Sequence, residues 1–308
     1  MSRSLSNDTI IIPADIPIRQ ERMYHMSFML RLLTPHDFPF VDPLLTAAYT
    51  RSTSMLDDLT HYYRLQPDGW LLALHNEIPV GMGGALFYDT FTRIGLMAVF
   101  PEIQHQGIGV AIMQQLLEWS ANRGATTVLL DATPAGVPLY AKLGFITDDS
   151  ACVYIQRRSS TLVDTRAIST KQLELDELPE VVMYDAERFG AQRARVLTSY
   201  YQAFPDRAFV ALNDQGIITG YIIAQARRLG PWLADTPEIA EALLQQALHL
   251  TFSQSPMATV PEYNQAARSL LTRAGFIPEH HWQSMRLGGI PELHRRRWFY
   301  GYANLYVG

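Results

Sequence analysis

The chain has 308 residues, of which 48% are hydrophobic and 18% are charged, so it is long enough to form two domains with ordinary cores. Its net charge of -5 provides no surplus of positive charge for nucleic acid, and its composition excludes disordered and fibrous proteins. No segment approaches the roughly 20 consecutive apolar residues of a membrane span, which predicts a soluble protein without a membrane partner.

Two elements are predicted near the N-terminus. Residues 1–26 combine charged residues with only a short apolar cluster, so they are interpreted as a tail rather than a signal peptide. Residues 28–33 are predicted to form the first strand. Residues 37–50 follow as an amphipathic helix, with Pro43 in its opening turn, where the missing N–H is harmless.

The next segment combines a hairpin, a strand and a turn that contains two glycines. Residues 70–74 and 80–88 are predicted to form the hairpin, and residues 94–100 the strand. The turn Gln104-His105-Gln106-Gly107-Ile108-Gly109 then leads into a helix that ends before Gly124.

This glycine turn is suited to bind an anion. A helix that begins directly after such a turn presents unpaired backbone N–H groups, and its aligned peptide dipoles favour negative charge there. A side chain at Gly107 or Gly109 would hold phosphate oxygens away from these groups, so a diphosphate is the expected ligand. Residues 127–132 are then predicted to form a buried strand, and residues 137–143 a short helix that carries Tyr140.

Cysteine and arginine usage gives two further expectations. The single cysteine, Cys152, excludes an internal disulfide and is typical of the reducing cytoplasm. Cysteine and histidine do not occur in pairs at ligand spacing, so no metal site is predicted. The basic run at residues 295–297 is interpreted as a solvated loop rather than a binding patch.

The second half of the chain repeats the first. A shift of 131 residues places Gly144 on Gly275, and the register holds without a gap from the glycine turn to this point. Upstream, Gly81 matches Gly220 at a shift of 139, a drift that loop changes would produce. A period of this length indicates two duplicated domains rather than a solenoid.

The second copy lacks the residues of the glycine turn. The same shift places Glu238 on Gly107 and Leu271 on Tyr140. A carboxylate at this position would repel a diphosphate, although Asp235 as N-cap would preserve the start of the helix. The second copy is therefore expected to bind no cofactor and to support the first.

These features together resemble a known family. The order of strand, Gln-x-x-Gly-x-Gly turn, helix and strand, followed by Tyr140 and the Leu-Gly-Phe at residues 143–145, resembles the acyl-coenzyme A site of the GNAT superfamily. Residues 130–140 read Leu-Asp-Ala-Thr-Pro-Ala-Gly-Val-Pro-Leu-Tyr, which resembles a narrower group of two-domain GNAT proteins over residues 28–308.

The resemblance implies the fold and the domain boundaries. The expected fold class is α/β, with two GNAT folds in tandem, each a central mixed β-sheet flanked by helices. Residues 27–160 would form the acetyltransferase domain and residues 161–308 a degenerate GNAT-like domain, after the tail at residues 1–26.

The resemblance also implies the reaction. The protein would be an N-acetyltransferase that transfers the acetyl group of acetyl-coenzyme A directly to the amine of a small molecule. Tyr140 would bind the cofactor sulfur and protonate the departing thiolate, and Thr133 stands where the family often has an asparagine that contacts the cofactor. The remaining implied cofactor contacts lie on the strand and the turn: Met97, Ala98, Val99, Gln104, His105, Gln106, Gly107, Ile108, Gly109 and Val110.

Two departures from the family pattern leave alternatives open. The strand before the turn lacks the usual glutamate, so Asp131 is the best candidate for a general base or an amine-binding group, with a capping or bracing role as the alternative. Asp89, Glu102 or a chain of water molecules could serve instead. Gln106 stands where arginine is common, so one charged contact with phosphate is missing unless His105 or Lys142 compensates.

The acceptor amine is left open by the sequence. Tyr49, Trp70, Tyr88 and Arg93 lie on elements that face the acceptor in this family, although aromatic residues there are as often core residues. Arg93 would suit an acceptor that carries a carboxylate. A homodimer is left open, no nucleic-acid partner is predicted, and the alternative function is a protein that binds acyl-coenzyme A or a metabolite without turnover.

Overall fold

The computed structural model describes residues 27–158, 162, 168–289 and 293–308. The predicted tail and the predicted boundary at residues 160 and 161 lie outside these residues. The chain divides into two compact units. One contains residues up to Leu129 with Lys142–Gly144 and Arg286–Gly289, and the other contains Leu130–Ala141, Phe145–Met285 and Ile290–Gly308.

The first unit is an antiparallel meander of four strands with helices. Its elements are β1 (Met29–Leu32), α1 (Phe38–Ala48), α2 (Leu56–Leu65), β2 (Trp70–His75), β3 (Ile78–Tyr88), β4 (Phe91–Val99) and α3 (Ile108–Ala121). The four strands pair in chain order. Asn76 and Glu77, which connect β2 and β3, both have positive φ, so they turn the chain tightly into the predicted hairpin.

Glycines on β3 let α3 pack directly on the sheet. A Cβ atom at Gly81 would lie 2.9 Å from Cγ2 of Ile108, and one at Gly83 would lie 2.9 Å from Cγ2 of Ile112. Ile108 is the first residue of α3 and is 1% exposed. These glycines therefore fix how closely the start of α3 approaches the sheet.

Two details of the helices differ from the prediction. A 3-10 turn at Pro35–Asp37 precedes α1, so α1 begins at Phe38 and Pro43 lies inside the helix, not in its opening turn. Helix α2 is not predicted at all. Its buried residues Leu59, Tyr62 and Leu65 are three positions apart, but charged residues between them mask this period.

The second unit contains two groups of paired strands. Along the chain follow β5 (Thr127–Ala132), which begins in the first unit, then α4 (Val137–Lys142), β6 (Ile146–Gln156), β7 (Ser169–Gln172), α5 (Leu178–Phe189), α6 (Ala194–Ala203), β8 (Ala208–Leu212), β9 (Ile218–Ala224), β10 (Leu229–Ala234), α7 (Pro237–Leu248), β11 (Met257–Pro261), α8 (Gln265–Arg273), β12 (Phe276–Gly288) and β13 (Phe299–Gly301). In one group β6 lies between β12 and β11, and in the other the order is β13, β10, β9, β8, β7.

The predicted duplication is confirmed element by element. From β7 to β12 the chain repeats the order of β1 to β6, and α7 lies where a shift of about 131 residues from α3 places it. Gly220 on β9 repeats the role of Gly81, because its Cβ atom would lie 2.8 Å from Cγ2 of Ile239 on α7. The chain is therefore a mixed α/β protein with two copies of one fold in tandem.

The second unit corrects two local predictions. Thr236, not Asp235, is the N-cap of α7, and its hydroxyl accepts a hydrogen bond from the N–H of Ile239. Asp235 instead forms an ion pair with Arg188 at 2.7 Å. Among the described residues, no helix is long and apolar enough to cross a membrane.

The basic run at residues 295–297 is not simply a solvated loop. The side chain of Arg296 is only 16% exposed and lies 2.9 Å from carboxylate oxygens of both Asp148 and Asp149. Burial lowers the pKa of Arg296, but electrostatic interactions with Tyr302, Asp148 and Asp149 outweigh this effect and raise it. The guanidinium of Arg297 stacks on Trp298 at 4.4 Å.

Candidate functional site

The glycine turn leaves open space in front of α3. Gly107 is the N-cap residue and has a φ of 87°, a left-handed conformation that favours glycine. A Cβ atom built on this exposed residue would meet no atom within 4 Å. His105, two residues earlier, is exposed and also left-handed, with a φ of 64°.

The backbone N–H groups of this turn are free to bind a ligand. The first hydrogen bond of α3 runs from the N–H of Ala111 to the carbonyl of Gly107. In the part of the chain that the structure describes, no acceptor pairs with the N–H groups of residues 105–110. Successive free N–H groups at a helix N-terminus form a concave site for phosphate. The predicted turn residues are thus brought together.

A bulge shapes the adjoining strand, β4. Met82 pairs with Ala98, but Gly84 pairs with Gly95, so β4 contains one extra residue at this point. Leu96, which lies in the bulge, is fully buried and has a φ of 49°, which is unusual for a branched residue. Bulges of this kind commonly re-aim backbone groups next to active sites. Sequence reasoning missed this bulge, because no local pattern indicates it.

The bulge turns the carbonyls of Met97 and Val99 to the edge of β4 that faces away from β3. The N–H of Phe100 donates to the carbonyl of Val80 at 3.3 Å, and hydrogen-bonded pairs alternate along an antiparallel ladder. By this alternation the backbone N–H and C=O of Ala98 pair with β3. The backbone N–H and C=O of Met97 and Val99 therefore point away from β3.

Two side chains occupy these carbonyls. The hydroxyl of Tyr49 donates to Met97 at 3.2 Å, and the amide of Gln104 donates to Val99 at 3.2 Å. Gln104 is therefore turned toward the strand and not toward the helix N-terminus. Tyr49 reaches the predicted cofactor strand, although it was predicted to face the acceptor.

The other residues predicted to face the acceptor belong mainly to the core. Trp70 is fully buried and packs on Gly84, where a Cβ atom would clash with its indole ring. Tyr88 is also buried, with its ring 5.3 Å from that of Phe91. Arg93 is half-buried on β4.

Asp131 and Thr133 lie in the second unit, and both are held by hydrogen bonds. Asp131, on β5, accepts a hydrogen bond from the hydroxyl of Ser284 at 2.5 Å, in keeping with the bracing alternative. The hydroxyl of Thr133 accepts from the N–H of Gly136 at 3.1 Å and so closes the turn before α4. The second copy has Asn264 at the position of Thr133.

Tyr140 lies on α4, also in the second unit, with a buried ring. It is 8% exposed, and its ring centroid lies 6.0 Å from that of Phe145. Burial raises the pKa of Tyr140 to about 12, with a smaller contribution from the neighbouring Tyr306. Among the described residues its hydroxyl has no hydrogen-bond partner, so its proton is available for a ligand.

The second copy closes the corresponding helix N-terminus with its own side chains. Thr236 caps α7, and the carboxylate of Glu238 accepts hydrogen bonds from its own N–H and from Thr236, which lower the pKa of Glu238. A carboxylate thus already occupies the position where the first copy has Gly107 and free N–H groups.

The second copy also fills the edge of its strand. Gly81 pairs with Val99 and Gly220 pairs with Ala234, so Trp232 and Leu233 of β10 correspond to Met97 and Ala98 of β4. The C-terminal strand β13 pairs with these two residues of β10. The strand edge that is predicted to bind pantetheine in the first copy is therefore covered by the chain itself in the second.

Comparison with protein families assigns both copies to acetyltransferase families of the GNAT type. The family described as "Acetyltransferase (GNAT) family" matches residues 33–145. The family described as "Acetyltransferase (GNAT) domain" matches residues 181–301. The two matches do not overlap and cover both copies of the repeat.

Individual relatives are similar over most of the chain. Holothin acyltransferase from Pseudoalteromonas sp. (strain SANK 73390) is 24% identical over 77% of this chain and 81% of its own length. The Bacillus subtilis protein YitH, described as an uncharacterized N-acetyltransferase, is 25% identical over 63% of this chain and 68% of its own. A solved structure of a candidate acetyltransferase from Pyrococcus horikoshii is 27% identical, covers 94% of this chain and 99% of its own, and superposes with a TM-score of 0.79.

Proposed function

The chain belongs to the GNAT acetyltransferase family, and on this premise we propose that it transfers an acetyl group from acetyl-coenzyme A to the amine of a small molecule. The observation that carries the proposal is the open N-terminus of α3, with a left-handed Gly107 and free N–H groups at residues 105–110. The corresponding end of α7 is closed, so we assign one cofactor site to the chain.

The residues present fit the cofactor. Free N–H groups at a helix N-terminus match the two phosphates of a diphosphate, and open space at Gly107 lets these phosphates approach. Acetyl-coenzyme A supplies the thioester that carries the acetyl group. The carbonyls of Met97 and Val99 already accept hydrogen bonds from Tyr49 and Gln104, so the N–H groups on this side of β4 would orient the pantetheine arm, as an added strand does.

The chain's own residues must also polarise the carbonyl and move a proton. A backbone N–H next to the bulge on β4 would stabilise negative charge on the carbonyl oxygen, because it is held in place before the reaction. We assign proton donation to Tyr140, by the family pattern. Its hydroxyl has no hydrogen-bond partner among the described residues, which supports this role.

Asp131 has a less direct role in the proposal. Its contact with Ser284 holds the carboxylate in place, so it could orient an amine or accept a proton through water. The buried thiol Cys152 agrees with the proposed cytoplasmic location.

The test compares the wild-type protein with Gly107→Glu, which introduces the residue that the second copy has at this position, Glu238. Calorimetric titration with acetyl-coenzyme A should give one binding event per chain, abolished by Gly107→Glu. Gly124→Glu is the matched control, because Gly124 is exposed, has a φ of 81° and has no atom within 4 Å of a Cβ, but follows the other end of α3. This control carries the same backbone strain and should bind normally.

Turnover is tested with a panel of small amines and a thiol reagent that detects released coenzyme A. Release that depends on both the amine and Gly107 would support the proposal. Binding without release for any amine would favour the alternative of a non-catalytic binding protein, and no binding would overturn the cofactor site.

A further inference from the structure

Three side chains with metal-binding atoms converge in the second unit, and none of them has a part in the proposed acyl transfer. They are Cys152, Glu262 and His281, and one ligand atom from each lies within 4.8 Å of the others. The sequence gives no sign of this cluster, because its members come from three separate segments of the chain.

The cluster is built across neighbouring strands. Cys152 lies on β6, opposite Val260 of β11. Glu262 directly follows β11, and its N–H donates to the carbonyl of Ser150 at 2.8 Å. His281 lies on β12, the neighbour of β6 on the other side. The backbone positions of all three residues are thus fixed by sheet pairing.

The distance between Cys152 and His281 suits a tetrahedral ion. The Sγ atom of Cys152 lies 3.7 Å from Nε2 of His281. Zinc bonds of about 2.3 Å to sulfur and about 2.0 Å to nitrogen put the two ligand atoms roughly 3.5 Å apart in a tetrahedron. Glu262 lies beside the other ring nitrogen, with its Oε1 3.1 Å from Nδ1 of His281, so this carboxylate must turn toward Nε2 to complete the site.

The cluster has a buried side and an open side. Cys152 is fully buried, whereas the side chains of Glu262 and His281 are 30% and 56% exposed.

We propose that Cys152, Glu262 and His281 form a binding site for a divalent cation of the zinc class, with one coordination position left for water. One sulfur, one nitrogen and one oxygen ligand suit Zn²⁺, whereas Mg²⁺ and Ca²⁺ prefer oxygen alone. A cation here would cross-link β6, β12 and the end of β11, so it would stabilise the second unit.

A reactive cysteine is the competing interpretation of the same cluster. A thiol, an imidazole and a carboxylate in this order can form a nucleophile, its base and an orienting group. Full burial of Cys152 keeps a substrate carbon from reaching its sulfur in the folded protein. The metal site is therefore the better account.

The test uses the full-length protein, freed of metal with a chelator, and Co²⁺ as a spectroscopic probe. The wild-type protein should bind one equivalent and develop a thiolate-to-cobalt charge-transfer band that Zn²⁺ abolishes. Cys152→Ser should lose the band, and both it and His281→Gln should bind about 100-fold more weakly or worse. His280→Gln is the matched control, since this exposed neighbour on β12 is outside the cluster.

A second measurement needs no variant. Because Cys152 is the only cysteine in the chain, the rate of its modification by a thiol reagent reports on this site alone. A buried thiol reacts only when the site opens transiently, and a cation that cross-links the three strands should suppress this opening, so Zn²⁺ should slow the modification of the wild-type protein. The proposal is overturned if Zn²⁺ leaves this rate unchanged, if no charge-transfer band forms, or if Cys152→Ser binds Co²⁺ as tightly as the wild-type protein.

Discussion

Tyr140 combines a buried ring with a hydroxyl that no described residue engages. The packing against Phe145 holds the ring in place, and burial keeps the hydroxyl protonated. A tyrosine that served only the core would not need its hydroxyl, because phenylalanine fills the same volume without a polar group to bury.

The substitution Tyr140→Phe therefore separates catalysis from packing. We expect kcat to fall by about 10²- to 10⁴-fold, the usual contribution of a positioned proton donor, while the Kd for acetyl-coenzyme A changes little. Steady-state kinetics and calorimetry on the same preparation measure the two quantities. Tyr201→Phe is the control, since Tyr201 is equally buried and donates to the carbonyl of Leu173 instead. Equal kcat in both variants would remove Tyr140 from the mechanism.

The pKa of Tyr140 also sets an expected pH profile. As a proton donor, Tyr140 supports turnover while it is protonated, and activity is lost as pH rises through its pKa. Because burial raises this pKa from 10.0 to about 12, kcat should show no decline due to Tyr140 up to pH 10. A decline in kcat that is centred below pH 10 and disappears in Tyr140→Phe would mean that the pKa of Tyr140 is not raised.

At the scale of elements, the approach of α3 to β3 positions the helix N-terminus that we propose as the cofactor site. Gly81 lies under Ile108, the first residue of α3, and a Cβ atom at Gly81 would also lie 3.2 Å from the carbonyl of Ala98. Any side chain at Gly81 must therefore displace the start of the helix, β4, or both.

The repeat supplies a matched pair of substitutions for this point. Gly81→Ala and Gly220→Ala introduce the same methyl group against equivalent neighbours, Ile108 and Ile239. We expect both to lower Tm, because overpacking costs about 1–3 kcal/mol. Only Gly81→Ala should weaken acetyl-coenzyme A binding, which thermal unfolding and calorimetry can distinguish. Equal weakening by both would mean that binding follows overall stability and not the position of α3.

The two copies share their elements but not their core chemistry. In the second copy Arg193, Asp185 and Tyr221 form a buried network, in which Arg193 also donates to the carbonyl of Gly308 at 2.7 Å. The matching residues of the first copy are apolar and buried: Leu45, Met55 and Met82. Breaking a buried ion pair costs about 3–5 kcal/mol, so loss of either Arg193 or Asp185 alone would destabilise the second unit strongly.

These cases explain which features could be predicted from the sequence. The hairpin and the glycine turn depend on the spacing of residues close together in the chain, so the sequence predicts them directly. The duplication could also be predicted, because the two halves match at a nearly constant shift of 131 residues. The bulge at Leu96 and the salt bridges of Arg296 depend on partners distant in the chain, which no local pattern encodes. The contact between Cys152 and His281 belongs to the same class, since strand pairing alone brings the two together.

For the whole molecule, the two copies differ in the features that we assign to cofactor binding. The first copy has an open helix N-terminus and a bulged strand. The second copy fills both of the corresponding places with parts of the chain. Glu238 provides the anion at α7, and β13 provides the added strand on β10. Tyr300 of β13 lies close enough to Glu238 for this carboxylate to raise its pKa, after the larger effect of burial.

Displacement of β13 should therefore not create a second cofactor site. A Cβ atom at Gly301 would lie 2.3 Å from the carbonyl oxygen of Leu229, so Gly301→Ala must push β13 away from β10. We expect a lower Tm but still one acetyl-coenzyme A per chain, because Thr236 and Glu238 continue to close α7. Gly216→Ala is the control for backbone strain alone, since Gly216 has a φ of 76° and no atom within 4 Å of a Cβ. A second binding event in Gly301→Ala would instead mean that β13 alone keeps the cofactor out of the second copy.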